Sequence, residues 1–108
     1  MSYEIVAIPN FKRELKKLAK KYPSLKEDFA KFLKSLQSVP DQGVSLGNNC
    51  YKIRMAIKSK GKGKSGGSRV ITYAQVSDNT VFLLSIYDKS EKENISDAHL
   101  SELLRFIP

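Results

Sequence analysis

The spacing of apolar residues changes several times along the chain, and each change marks an element. Tyr3 to Ile8 is a short apolar run closed by Pro9 and Asn10, which predicts a first strand. Phe11, Leu15, Leu18 and Tyr22 then recur at helical spacing, with Lys12, Lys16, Lys17, Lys20 and Lys21 among them. This is an amphipathic helix with a basic outer face, broken at Pro23. Ser24, with Glu27 three residues on, has the form of a capping box, and Leu25, Phe29, Phe32, Leu33 and Leu36 make the apolar stripe of a second helix reaching about Val39. The tight turn between the two stripes makes the pair antiparallel.

Past Pro40 the period becomes two. Tyr51, Ile53, Met55 and Ile57 point one way and Lys52, Arg54 and Lys58 the other, so this strand has a cationic face. Lys58 to Ser68 is a loop of Gly, Ser and Lys. Arg69 to Val76 and Val81 to Tyr87 read as strands joined by a turn at Asp78 and Asn79, and the second, nearly all apolar, belongs in the middle of a sheet. Ser96 is placed to cap a closing helix, with Ile95 and Leu100 as its hydrophobic staple and Leu100, Leu103 and Leu104 as its docking face. Strand, helix pair, antiparallel sheet and helix in succession define an α+β class, and 108 residues suit one domain over residues 1–108.

Composition narrows the function. With 41% hydrophobic and 28% charged residues the chain reads as globular, and no stretch approaches the roughly 18 apolar residues of a membrane span. Nor does the chain start like a secretion signal, so a cytoplasmic location is expected. Cys50 is the lone cysteine and His99 the lone histidine, which leaves no disulfide and no zinc site of ordinary spacing; Cys50 reads as a half-buried strand residue and His99 as a helix-surface one. The net charge of +8 points to a polyanionic partner, and most of the imbalance lies in residues 51–76, where Lys52, Arg54, Lys58, Lys60, Lys62, Lys64 and Arg69 occur without one Asp or Glu.

Gly61, Gly63 and Gly66 have the spacing of a dinucleotide fingerprint, but a strand follows them where that motif needs a helix N-terminus. The loop is either a solvated hairpin tip or a mobile basic finger for RNA phosphates. More specific is the set formed by Tyr51 to Arg54, Gly66 to Tyr73 and Tyr87 to Glu93, in which adjacent strands bring Lys52, Arg54, Arg69 and Lys89 toward one face or rim.

At those residues the chain resembles the RelE/ParE toxin superfamily, and within it the HigB-like branch. The resemblance extends over nearly the whole chain in element order and over residues 50–104 in motif detail. It implies a RelE-like fold, with the N-terminal strand and antiparallel helix pair packed on a mainly antiparallel sheet and a short C-terminal helix. It further implies the toxin of a type II toxin–antitoxin system: a metal-independent endoribonuclease (mRNA interferase) that cleaves mRNA in the ribosomal decoding site, inhibits translation and is restrained by an antitoxin. Lys52 and Arg54 match the family's paired strand cations, Arg69 matches its arginine on the next strand, and Lys89 falls where RelE has an arginine. The C-terminal catalytic tyrosine of RelE aligns with Ile95. The HigB-like branch does not depend on that tyrosine, which leaves Lys89, Glu91, Lys92 or Tyr87 for its role.

The chemistry agrees with this assignment. Cleavage by the neighbouring 2′-hydroxyl needs a proton acceptor, a proton donor to the 5′-oxygen, and cations for the phosphorane charge. Like charges disfavour a lysine's protonated form, so Lys52 beside Arg54 and Arg69 suits the role of base or acid, while Arg54 and Arg69 suit forked binding of phosphate. Glu91 is a candidate base. Tyr73 and Tyr87 are candidate stacking platforms, and Lys58, Lys60, Lys62, Lys64 and Lys92 candidate phosphate contacts. Two other readings stay open: a ParE-like gyrase inhibitor, and a non-catalytic basic nucleic-acid-binding module.

Overall fold

The structure, a computed structural model, describes residues 3–108. The apolar run near the C-terminus is β5 (Thr80–Asp88), buried on both faces because it lies inside the sheet. On one side it pairs in parallel with β1 (Glu4–Ala7), and on the other antiparallel with β4 (Ser68–Gln75). The sheet continues through β3 (Cys50–Met55) to β2 (Val44–Gly47), giving the order β1-β5-β4-β3-β2. Between β1 and β2 the chain forms α1 (Pro9–Lys21) and α2 (Leu25–Ser38), and after β5 it ends in α3 (Asp97–Leu104). Helices on a mainly antiparallel sheet are an α+β fold.

Pro9 opens α1 at its first position, where a helix tolerates a missing N–H, so the helix begins at the residues expected to close the strand. The helix pair lies on one face of the sheet, α1 against β5 and α2 against β3. Phe11, Leu18, Leu25, Phe32 and Leu36 join Ile53, Val70 and Ile86 in the core. Truncating a buried phenylalanine such as Phe11 to Ala costs about 3–5 kcal/mol.

The capping box does not form. Ser24 is itself in the helical region (φ −83°, ψ −7°), from which its hydroxyl makes no cap. The hydroxyl instead donates to Asp28 Oδ2 at 2.7 Å and accepts the Ser59 amide at 2.8 Å, joining the helix pair to the loop after β3. Ser96 does cap its helix, accepting the His99 amide at 3.1 Å, and Leu103 is buried beneath α3.

Strand β2 is too short for the hydrophobic pattern to mark it, since Val44 and Leu46 alternate with Ser45 and Gly47 over only four residues, all exposed. It pairs with β3 through a turn at Asn48 and Asn49, whose φ values of 51° and 63° are those a tight hairpin demands and asparagine tolerates. Strand β3 stops at Met55, so Lys58 leaves its cationic face and opens a 3-10 turn, Lys58–Lys60. Cys50 is fully buried, and burial pushes its thiol pKa up, keeping it protonated.

Candidate active site

The register of the sheet assembles the site. Arg54, Arg69 and Tyr87 lie opposite one another across β3, β4 and β5, on the face away from the helix pair, and Lys52 is the next residue on that face of β3. Lys52, Arg54, Lys64, Arg69 and Glu93 line one open cleft of about 500 Å³. Four cations thus face one carboxylate.

Each member is held differently. Lys52 is half-buried and its ammonium donates to Asn94 Oδ1 at 2.7 Å, while Arg54 and Lys64 are exposed. Glu93 bridges two cations, with Oε1 3.9 Å from Arg69 Nη2 and Oε2 3.8 Å from Lys89 Nζ. Arg69 is 1% exposed. Its Nη1 donates to the carbonyls of Lys64 (3.2 Å) and Ser68 (3.1 Å), and its Nη2 to that of Ser65 (3.1 Å), while its Nε has no partner among the described residues. Rather than standing free to fork onto a phosphate, this guanidinium clasps the returning limb of the loop and fixes where Lys64 reaches the cleft. Its acidic neighbour is Glu93, and neither Asp88 nor Glu91 forms an ion pair with it among the described residues.

The outgoing limb is tied down elsewhere. Asp88, at the end of β5, is fully buried and accepts Lys60 Nζ at 2.6 Å, the Tyr22 hydroxyl, and the Ser90 amide and hydroxyl at 2.9 and 2.8 Å. Burial opposes its ionisation, but the bonds from Lys60, Tyr22 and Ser90 outweigh burial and hold its carboxyl well below the usual carboxylate range. Lys60 is therefore no solvated loop lysine: its side chain is 9% exposed and pairs with Asp88 away from the cleft. Lys58 and Lys62 are exposed on the same loop. The basic finger is a loop pinned at both limbs.

The remaining candidates lie apart. Glu91 sits 4.0 Å from Lys21, in a groove along α1 that Lys92 also lines, and does not meet Lys52 or Arg54. Tyr87 is buried, its hydroxyl donates to the Glu93 carbonyl at 3.2 Å, and Lys92 lies 4.7 Å over its ring. Burial raises its phenol pKa, so it is neutral at neutral pH. Tyr73 packs against Phe82 at 6.3 Å near Leu104 and Ile107, beyond the cleft. Reasoning from sequence left out Glu93, Asn94 and Asp88. The spacing of Lys89 and Glu93 held a signal for the first; Asp88 meets Lys60 only through the fold.

The model of the RelE toxin of RelE/RelB toxin–antitoxin systems matches residues 10–106, and the chain belongs to that family. Among solved structures, the chain is similar to an arginine double mutant of the E. coli toxin RelE in the free state, at 18% identity, over 100% of both chains and with a TM-score of 0.65. The intact E. coli RelBE toxin–antitoxin complex matches at 20% identity, over 81% of this chain and 96% of that one, with a TM-score of 0.60. A toxin–antitoxin complex from Mycobacterium tuberculosis matches at 15%, over 82% and 99%, with a TM-score of 0.59. At these identities the likeness is one of fold. No helix among the described residues is long and apolar enough to cross a membrane.

Proposed function

We propose that this toxin is an endoribonuclease that cuts mRNA on the ribosome and that a cognate antitoxin restrains it. The observation that carries the reading is the convergence of Lys52, Arg54, Lys64 and Arg69 with a single carboxylate, Glu93, in one open cleft. Family membership supports it, as does the existence of E. coli and M. tuberculosis relatives in complex with antitoxins.

Within that cleft, Glu93 takes the proton of the 2′-hydroxyl, whose oxygen attacks the adjacent phosphorus. The bond to the 5′-oxygen breaks, Lys52 protonates the departing oxygen, and a 2′,3′-cyclic phosphate and a 5′-hydroxyl remain. Arg54 and Lys64 hold the phosphorane oxygens, and Arg69 adds charge from behind while keeping Lys64 in place. Glu93 fills the part considered for Glu91. Ile95, at the position of the RelE tyrosine, packs on the core and supplies no proton, which fits the HigB-like branch.

Purified protein added to translating ribosomes, with cut sites mapped by primer extension, tests the proposal. Site-defined cuts are expected; intact messages together with blocked DNA supercoiling favour a gyrase inhibitor instead. Co-expression with the small open reading frame beside its gene is expected to relieve growth arrest and yield a stable complex, and persistent arrest with no complex rules out that antitoxin.

A further inference from the structure

The cleft does not end at Arg54. Arg54, Lys64 and Gln42 also wall a second cavity, of about 260 Å³, between α2 and β3. Phe32, Met55 and Ala56 give it apolar ground, and Asp28, Lys31 and Ser35 of α2 form its far wall. The proposed cleavage uses none of them. Asp28 is the one acid in this lining, and its Oδ2 is already engaged by the Ser24 hydroxyl at 2.7 Å and the Lys58 amide at 3.0 Å. Where the cleft gathers cations around a carboxylate, the cavity thus offers an apolar surface with polar groups at its rim.

Gln42 is fixed at the boundary of the two spaces. Beside it, Gly43 has a φ of 94°, and a Cβ there would stand 2.5 Å from the Lys52 carbonyl oxygen, so glycine is what lets the chain run this close to β3. The Gln42 Nε2 donates to the Val39 carbonyl and to Ser35 Oγ, each at 3.1 Å. A carbonyl only accepts, so the amide cannot turn over without losing that bond. Its Oε1 is left as a spare acceptor, with no partner among the described residues. Apolar ground, an arginine at the wall and an oriented acceptor are the means by which proteins hold an unstacked base, through contact with its faces and a hydrogen bond to its edge.

We infer that the cavity between α2 and β3 is a subsite for a nucleobase adjoining the phosphate held in the cleft, and that Gln42 Oε1 selects bases carrying an exocyclic amine. Its RNA occupant rests on the proposed function, but its test reads binding and not cleavage. Continuity with the cleft favours this occupant. Arg54 and Lys64 line both spaces, so a phosphate bound to them leaves a neighbouring nucleoside at the mouth of the cavity.

The amine itself supplies the experiment. Labelled homohexamers of 2′-fluoro RNA, which lack the attacking hydroxyl, are titrated by fluorescence anisotropy in two pairs: adenosine against purine riboside, and cytidine against 2-pyrimidinone riboside. Within each pair only the amine differs. Wild type is expected to bind the amine-bearing member about three- to tenfold more tightly, the range of one net hydrogen bond. Gln42→Leu should bring both ratios near one, while Gln42→Glu, which keeps an acceptor but adds negative charge, should weaken all binding and keep the ratios. Gln37→Leu, a matched change on α2 outside the cavity, should leave the ratios as in wild type. Melting temperatures of all three variants should stay near wild type, since neither glutamine belongs to the core. Equal ratios in wild type and a folded Gln42→Leu protein, or no amine preference in wild type, would overturn the inference. Wild-type binding by Gln42→Leu with lost antitoxin copurification would overturn it too and give the cavity to a protein partner. If wild type cuts no mRNA on ribosomes yet the preference depends on Gln42, the nuclease reading fails and the subsite stands. Normal cuts with a preference indifferent to Gln42 would sink the subsite alone.

Discussion

Lys60 and Lys64 come from the same glycine- and lysine-rich loop, yet one is locked beneath the protein surface and the other reaches into the open cleft. Lys60 meets the buried carboxylate of Asp88, with Tyr22 and Ser90 completing its shell. Lys64 stays exposed, and only its carbonyl is held, by Arg69. A lysine's role in such a loop is therefore set by what the fold places opposite it. A carboxylate sealed at the end of β5 turns one lysine into a structural bolt, and a cleft facing solvent leaves the other for a ligand.

The contrast can be undone most forcefully at the bolt. Asp88→Ala leaves the Lys60 ammonium buried without its partner, and thermal or urea unfolding should show a loss of about 3–5 kcal/mol. Lys60→Met is expected to be milder, and adding it to Asp88→Ala should recover part of the loss, because the stranded charge is gone. The pH dependence has a definite sign. The Asp88 carboxyl titrates lower in the folded protein than in the unfolded chain, so its contribution is complete above the unfolded value near about pH 4 and is lost as pH falls toward the folded one. Asp88→Asn should be less stable than wild type at neutral pH and lose less stability on acidification; parallel curves would remove Asp88 from the acid response.

Arg69 belongs to both regions and should show both phenotypes. Its Ala variant strips three donors from buried or half-buried carbonyls, and a loss of about 2–3 kcal/mol is expected together with slower cleavage as Lys64 loses its fixed approach. Arg69→Lys should restore only part of each, since one ammonium cannot reach all three carbonyls. Full activity in a destabilised Arg69→Ala protein would make the clasp purely structural. At the small end, Lys62→Ala should leave the melting temperature unchanged and lower the salt slope of RNA binding by less than about one.

Most of the architecture was legible because period and punctuation agree: the helix pair, the apolar β5 and the Ser96 cap all follow from local pattern. What escaped depends on distant partners. Strand β2 buries nothing, its alternation of Val44 and Leu46 with Ser45 and Gly47 spans only four residues, and its plainer mark was the Asn48 and Asn49 turn. The Ser24 and Glu27 spacing suits a cap, but Asp28 and Ser59 hold the hydroxyl instead. Alternation placed Lys52 and Arg54 on one face, and strand pairing brought Arg69 alongside. The register that added Glu93, sent Glu91 to α1 and buried Lys60 on Asp88 could not be read locally.

If the cleft is where the message is cut, Lys52 and Arg54, the cations that β3 presents to it, must carry much of the rate. The decisive quantity is the single-turnover rate of mRNA cleavage on ribosomes, measured with the melting temperature on the same preparations of wild type, Lys52→Ala and Arg54→Ala. Each substitution is expected to slow cleavage by roughly a hundredfold or more while melting stays near wild type, because Lys52 is only half-buried, Arg54 is exposed, and both act on the reacting phosphate. Wild-type rates in both folded variants would refute this and move the chemistry out of the cleft.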